Sequence, residues 1–109
     1  MENESILVEY LGRNPVLLVI DFLLENKLFD YSKQQIAEGS GIGRVTLFNN
    51  WNKVEKLGIV KETRRFGKTK LYKLNEQNAV VKKLIELELL LGEMASEKSQ
   101  HHKMKALAH

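Results

Sequence analysis

Apolar residues recur with a helical period along most of this chain, and the places where the period breaks predict its elements. Ile6, Leu7, Tyr10 and Leu11 fall at helical spacing between Glu4 and Leu11, and Gly12 reads as the stop of a short first helix. Asn14 followed by Pro15 opens a second helix, because the Asn side chain can cap orphan N–H groups and proline loses nothing at the first helical position. This helix is predicted to run to about Lys27 and is apolar nearly all round, with Asp21 and Glu25 four residues apart on its one polar face. Ser32-Lys33-Gln34-Gln35 has the form of a capping box at the head of a third, short helix, which Gly39, Ser40 and Gly41 end. A fourth helix is predicted from about Gly43 to Leu57 with Gly58 as its stop, so the third and fourth form a helix-turn-helix candidate.

Beyond Gly58 the pattern changes. Ile59 to Arg65 and Thr69 to Leu74 are strand-like, with Tyr72 and Leu74 on one face, and Phe66-Gly67-Lys68 between them reads as a hairpin turn that Phe66 caps. A long helix is expected from about Gln77 to Met94. The segment from Ala95 to His109 has weak periodicity and few large apolar groups, so a flexible tail is expected there. The predicted class is mainly α with a small β-hairpin (α+β). On this reading residues 1–76 form the domain, 77–95 the added long helix and 96–109 the tail.

Composition narrows the function. The 109 residues suffice for one domain with one core, and the absence of cysteine removes disulfides and thiolate chemistry. The apolar stretch from Pro15 to Leu24, interrupted by Asp21, falls short of the roughly 20 residues that span a bilayer. Glu2 and Glu4 stand where an export signal would carry positive charge, so a cytoplasmic protein with no membrane partner is expected. The net charge is only +3, but residues 1–40 carry −4, residues 41–74 carry +7 and residues 75–109 are neutral. A concentrated positive segment of this kind is the footprint of a nucleic-acid contact, or of a solvated basic face.

The helical wheel of the fourth helix separates the two. At about 100° per residue Leu47, Trp51 and Val54 share one stripe, which is the core face, and Trp51 belongs to it with its indole N–H at the rim. Val45, Asn49, Asn52 and Lys56 lie opposite, flanked by Thr46, Phe48 and Lys53, with Arg44 in the first turn. Arg can donate twice to guanine, Asn can pair with adenine, and Thr or Val can touch a thymine methyl, so this face suits a major groove. Ser32 and Lys33 head the preceding helix, where free N–H groups favour phosphate. Arg64, Arg65, Lys68 and Lys70 flank Gly67 and suit the backbone or minor groove, although charge also protects an edge strand from aggregation.

Taken together, Ser-Lys-Gln-Gln-Ile-Ala-Glu, Gly-Ile-Gly-Arg-Val-Thr-Leu-Phe, Val-Glu-Lys-Leu-Gly-Ile-Val-Lys and Lys-Leu-Tyr-Lys-Leu resemble the winged helix-turn-helix of small prokaryotic regulators of the MarR and ArsR type. The resemblance covers roughly residues 6–91 and is most specific at Lys53 to Val60. Gly43 departs from it, where that family usually has a Ser or Thr cap. The resemblance implies a winged helix that binds double-stranded DNA as a transcriptional regulator, expected to repress.

In the long helix Val80, Leu84, Leu87, Leu91 and Met94 form a heptad seam, and Val81, Ile85 and Leu89 a second ridge beside it. Two ridges and an all-round apolar second helix exceed what a small monomer readily covers, so a homodimer through Leu18, Val81, Leu84, Ile85, Leu87 and Leu91 is expected. The alternative is a winged helix serving as a protein-interaction or architectural module that coats DNA non-specifically. No catalytic constellation, glycine-rich phosphate loop or cofactor site is recognisable, and His101, His102 and His109 read as surface residues of the tail.

Overall fold

Asn14 begins the helix on which the core is assembled: its Oδ1 accepts from the N–H groups of Val16 (2.9 Å) and Leu17 (3.4 Å), and Pro15 follows at the first helical position. The computed structural model describes residues 5–108, with side chains as far as Ser96. Its elements are α1 (Ile6–Leu11), α2 (Pro15–Glu25), α3 (Lys33–Ser40), α4 (Arg44–Lys56), β1 (Val60–Phe66), β2 (Thr69–Leu74) and α5 (Ala79–Ala108). Helix α2 ends two residues before Lys27 because Asn26 stops it, its side-chain amide donating to the Phe22 carbonyl at 2.8 Å. Among the described residues no helix is long and apolar enough to cross a membrane.

The main core joins every element except α1. Val19, Ile20 and Leu23 of α2 meet Ile36 and Ala37 of α3, Leu47, Trp51 and Val54 of α4, and Ile59, Tyr72, Leu74 and Val81. Each buried Val, Leu or Ile among them contributes roughly 1.5–3 kcal/mol relative to exposure. Trp51 and Tyr72 meet edge to face at 4.9 Å, which locks α4 to the hairpin. The Trp51 indole N–H is buried, away from the rim, and has no hydrogen-bond partner among the described residues. A second cluster, Leu7, Val8 and Leu17, fastens α1 to α2 and is flanked by Leu18, Leu87 and Leu91.

The sequence signal Leu57-Gly58-Ile59 becomes a Schellman stop. Gly58 (φ +72°) donates to the Glu55 carbonyl at 3.0 Å and Ile59 to the Val54 carbonyl at 3.2 Å, while Ile59 and Val54 are both buried. The left-handed φ is what requires glycine there. Asn75 and Asn78 tie this turn to the exit of β2, donating to the carbonyls of Gly58 (3.1 Å) and Leu57 (2.6 Å). Asn78 also caps α5 through Val81 N–H (3.1 Å), so that helix starts two residues after Gln77.

Two expectations are corrected. Phe66 is the last residue of β1, paired with Thr69, so the turn is only Gly67-Lys68. The other concerns Val81 in the expected dimer face, on the long helix whose backbone continues past Met94 to Ala108. Val81 is 0% exposed and belongs to the main core, so it cannot meet a partner. Leu84 and Ile85 pack against that same core, and Leu18, Leu87 and Leu91 against the α1 cluster. These five are only half-buried. Tyr10, Leu11, Leu89, Leu90 and Met94 remain more than half exposed.

Gly39 marks the closest approach of α2 and α3. A Cβ there would overlap the Phe22 ring, which is itself held edge to face against Tyr31 at 5.1 Å. Alanine improves helix propensity by about 1 kcal/mol, while overpacking costs about 1–3 kcal/mol. Gly39→Ala is therefore expected to lower stability by up to about 2 kcal/mol, measured by urea denaturation; greater stability than wild type would show that the α2–α3 contact is loose.

Candidate nucleic-acid interface

Three consecutive residues join the hairpin to the helix-turn-helix. Asp30 grips β1: Arg64 donates to it through Nε (2.9 Å) and Nη2 (3.2 Å), and the Thr63 hydroxyl through a 2.6 Å bond. Tyr31 grips β2, exchanging two 2.8 Å backbone hydrogen bonds with Tyr72 as a one-residue third strand. Ser32 caps α3. Its hydroxyl accepts from Gln35 N–H (3.2 Å) and Gln35 Oε1 accepts from Ser32 N–H (2.9 Å), completing the expected capping box.

Adjacent strand residues ordinarily point to opposite faces, so Thr63 and Arg64 should not reach one carboxylate. A β-bulge between Glu62 and Arg64 turns both toward Asp30. Arg64 also lies over the Phe66 ring at 5.0 Å. This ion pair holds the wing in place, while the Arg64 side chain stays 60% exposed. Of the other wing cations, Arg65 (3.1 Å) and Lys70 (3.8 Å) share Glu62, and Lys68 at the tip has no ion pair among the described residues. At the wing tip the positive charge therefore centres on Lys68, with one net charge from the Arg65–Glu62–Lys70 trio, while Lys61 and Lys73 add two cations near the base of the hairpin.

The capping box leaves the N–H groups of Lys33 and Gln34 without intrahelical acceptors, as at any helix start. Lys33 Nζ stands 5.2 Å from the Trp51 ring, so the core holds this cation in place. A cleft of about 440 Å³ runs between Ser32, Lys33 and Gln34 on one side and Lys68, Thr69, Lys70 and Tyr72 on the other. Burial raises the Tyr72 hydroxyl above its ordinary range, so it brings no negative charge to this cleft. A second cleft of about 220 Å³ lies between Lys33 and Gln34 of α3 and Arg44, Leu47 and Phe48 of α4. Helix α3 thus separates two concavities, each bordered by cations.

On α4 the wheel divides as its pattern predicts: Leu47, Trp51 and Val54 are buried, while Arg44, Val45, Phe48, Asn49, Asn52, Lys53 and Lys56 are exposed. Thr46 is half-buried, its carbonyl accepting from Asn50 (2.8 Å). Gly43 stands at the N-cap with no side-chain hydrogen bond. The meeting of Asp30 with Thr63 and of Tyr31 with Tyr72 is not legible in the sequence, because only the bulge and the bridge bring these residues together. Among the described residues no group of His, Cys, Asp or Glu could hold a metal ion. The side chains of His101 and His102, and all of His109, lie outside what is described.

The Arg64 and Thr63 hydrogen bonds pull the Asp30 carboxyl down to about 2. Because the folded value lies below the unfolded one of about 3.9, the ion pair stabilises the fold above pH 4 and is lost as pH falls toward 2. Asp30→Asn is expected to lower the melting temperature above pH 4, with the difference from wild type vanishing near pH 2. An offset that stays constant through this range would show that Asp30 is not the titrating group.

No family model matches the chain, and no curated protein matches it. Solved structures do. The chain is similar to Sso10a-2, a DNA-binding protein from Sulfolobus solfataricus, at 19% identity and a TM-score of 0.53, covering 88% of this chain and 97% of that one. It is similar to NadR in complex with 4-hydroxyphenylacetate at 22% identity and a TM-score of 0.58, over 94% of this chain and 74% of that one. A MarR family protein from Bacillus stearothermophilus aligns at 16% identity and a TM-score of 0.53, over 92% and 80% respectively. These similarities, with the α3–turn–α4 unit and the bulged hairpin, establish a winged helix-turn-helix fold carrying a long C-terminal helix.

Proposed function

We propose that this protein is a sequence-specific, dimeric DNA-binding regulator that represses by occluding promoter sites. The observation that carries the reading is the placement of the wing tip at Lys68 and the first turn of α4 on either side of the start of α3 with its open N–H groups, each across a cleft that Lys33 and Gln34 line. In this arrangement α4 enters the major groove, presenting Val45, Phe48, Asn49 and Asn52, with Arg44 and Lys53 at its borders. The α3 start and Ser32 bind the backbone, and Lys68, Arg65 and Lys70 hold phosphates or the minor groove beyond it. The fold shared with a protein described as DNA-binding and with a MarR family member supports this reading.

Dimerisation uses the apolar surface that the domain leaves uncovered: Leu90 and Met94 of α5, with Tyr10 and Leu11 of α1. Two recognition helices on a symmetric dimer would read half-sites about one helical turn apart. The homodimer should become a monomer when Leu90 and Met94 are both replaced by Glu, with unchanged circular dichroism. Light scattering on wild type and variant measures this, and a wild-type monomer would remove the dimer from the proposal.

For DNA, affinity is expected to fall steeply with salt. Lys68→Ala should weaken all duplexes alike and reduce the slope of log K against log salt by about 1, whereas Asn49→Ala should cost about 1–3 kcal/mol at a single base position. Binding titrations at several salt concentrations on matched and mismatched duplexes separate the two effects. Salt-sensitive binding with no sequence preference would favour an architectural coat over a regulator, and affinity indifferent to salt would exclude both.

A further inference from the structure

The outer stripe of α4 is half apolar. Val45, Phe48, Asn49 and Asn52 recur at the spacing that places them within about 100° of one another on the wheel. Val45 is 73% and Phe48 76% exposed, and neither joins either hydrophobic cluster. These are two large apolar side chains on the face that looks away from the core. Structural need does not explain them, since Leu47, Trp51 and Val54 already supply the packed side of the helix.

Their surroundings define what covers them. Phe48 borders the cleft that Lys33 and Arg44 also line, and Lys53 and Lys56 follow on the same helix. The whole segment from residue 41 to 74 carries +7. An occupant must therefore offer small apolar groups in the middle and negative charge at the edges. A duplex major groove containing A·T pairs does so, with the thymine 5-methyl on its floor and phosphates at its rims. The neighbouring Asn49 and Asn52 sharpen the match, because Asn pairs bidentately with adenine N6 and N7, and the thymine opposite that adenine presents its methyl in the same groove.

Resting on the DNA-binding reading above, we infer that Val45 and Phe48 are specificity-determining residues that contact thymine methyl groups, so the sites this protein selects are A·T-containing in the major groove facing α4. Arg44, at the border of the stripe, serves the flanking backbone or a neighbouring guanine.

The test uses the full chain and a random-sequence duplex library, from which bound duplexes are selected and sequenced. Each thymine of the selected sequence is then replaced singly by deoxyuridine, which keeps every hydrogen bond and deletes only the methyl. Wild type should lose about fourfold in affinity at one or two of these positions, the value for burying one methyl-sized group. Phe48→Ala or Val45→Ala should bind the thymine and uracil duplexes equally at its own position while keeping the wild-type salt slope. Replacing the same T·A pair by 5-methylcytosine·guanine retains the methyl and removes the adenine, and should bind more weakly than T·A. The inference is overturned if uracil and thymine duplexes bind equally at every position, if 5-methylcytosine·guanine binds as tightly as T·A, or if both variants keep the wild-type thymine preference. Retention of no duplex of any sequence would instead overturn the DNA-binding reading itself, an outcome recognisable at the selection step.

Discussion

The geometry of this domain depends on a joint three residues long. Asp30 is ion-paired to β1, Tyr31 is hydrogen-bonded to β2, and Ser32 caps α3, so a single extended segment sets the positions of both wing strands and of the helix that precedes the turn. A two-stranded hairpin on its own is marginally stable at best in water. Here Leu71, Tyr72 and Leu74 anchor one strand in the core, while the exposed residues of β1 are held by Asp30 and by the ladder. The joint adds to this anchoring the ties that fix β1 and the start of α3 relative to β2.

The aromatic pair Trp51 and Tyr72 complements that joint from inside. Trp51 belongs to α4, Tyr72 belongs to the strand that Tyr31 bridges, and Lys33 of α3 stands over the indole. Three elements of the proposed interface thus meet around one buried ring. A rigid arrangement reduces the ordering cost that binding would otherwise carry. The indole N–H is buried without a partner among the described residues, so shape and stacking hold the ring.

Helices α2 and α5 bring three carboxylates together, Asp21, Glu25 and Glu88. Burial pushes Glu25 and Glu88 up from their ordinary values, with Asp21 adding to both, and Asp21 Oδ1 is buried without a hydrogen-bond partner among the described residues. The acid range therefore contains opposing effects: protonation relieves repulsion between α2 and α5 while it weakens Asp30. Comparison with Asp30→Asn isolates the second.

Local chemistry was readable from the residues alone. The Asn14-Pro15 start, the Ser32 and Gln35 capping box, the Leu57-Gly58 stop and the two faces of α4 depend on interactions within a few positions, so period and capping predict them. What depends on distant residues was not readable. Arg64 looked like its neighbours Arg65 and Lys68 until the bulge at Thr63 turned it toward a carboxylate more than thirty positions earlier in the chain. Val81 looked like one member of an apolar ridge until the packing of α5 against the core covered it completely. A sequence states which side chains share a helical face or strand, because that follows from backbone geometry. Which of those faces is already occupied by another part of the same chain is decided only when the elements pack.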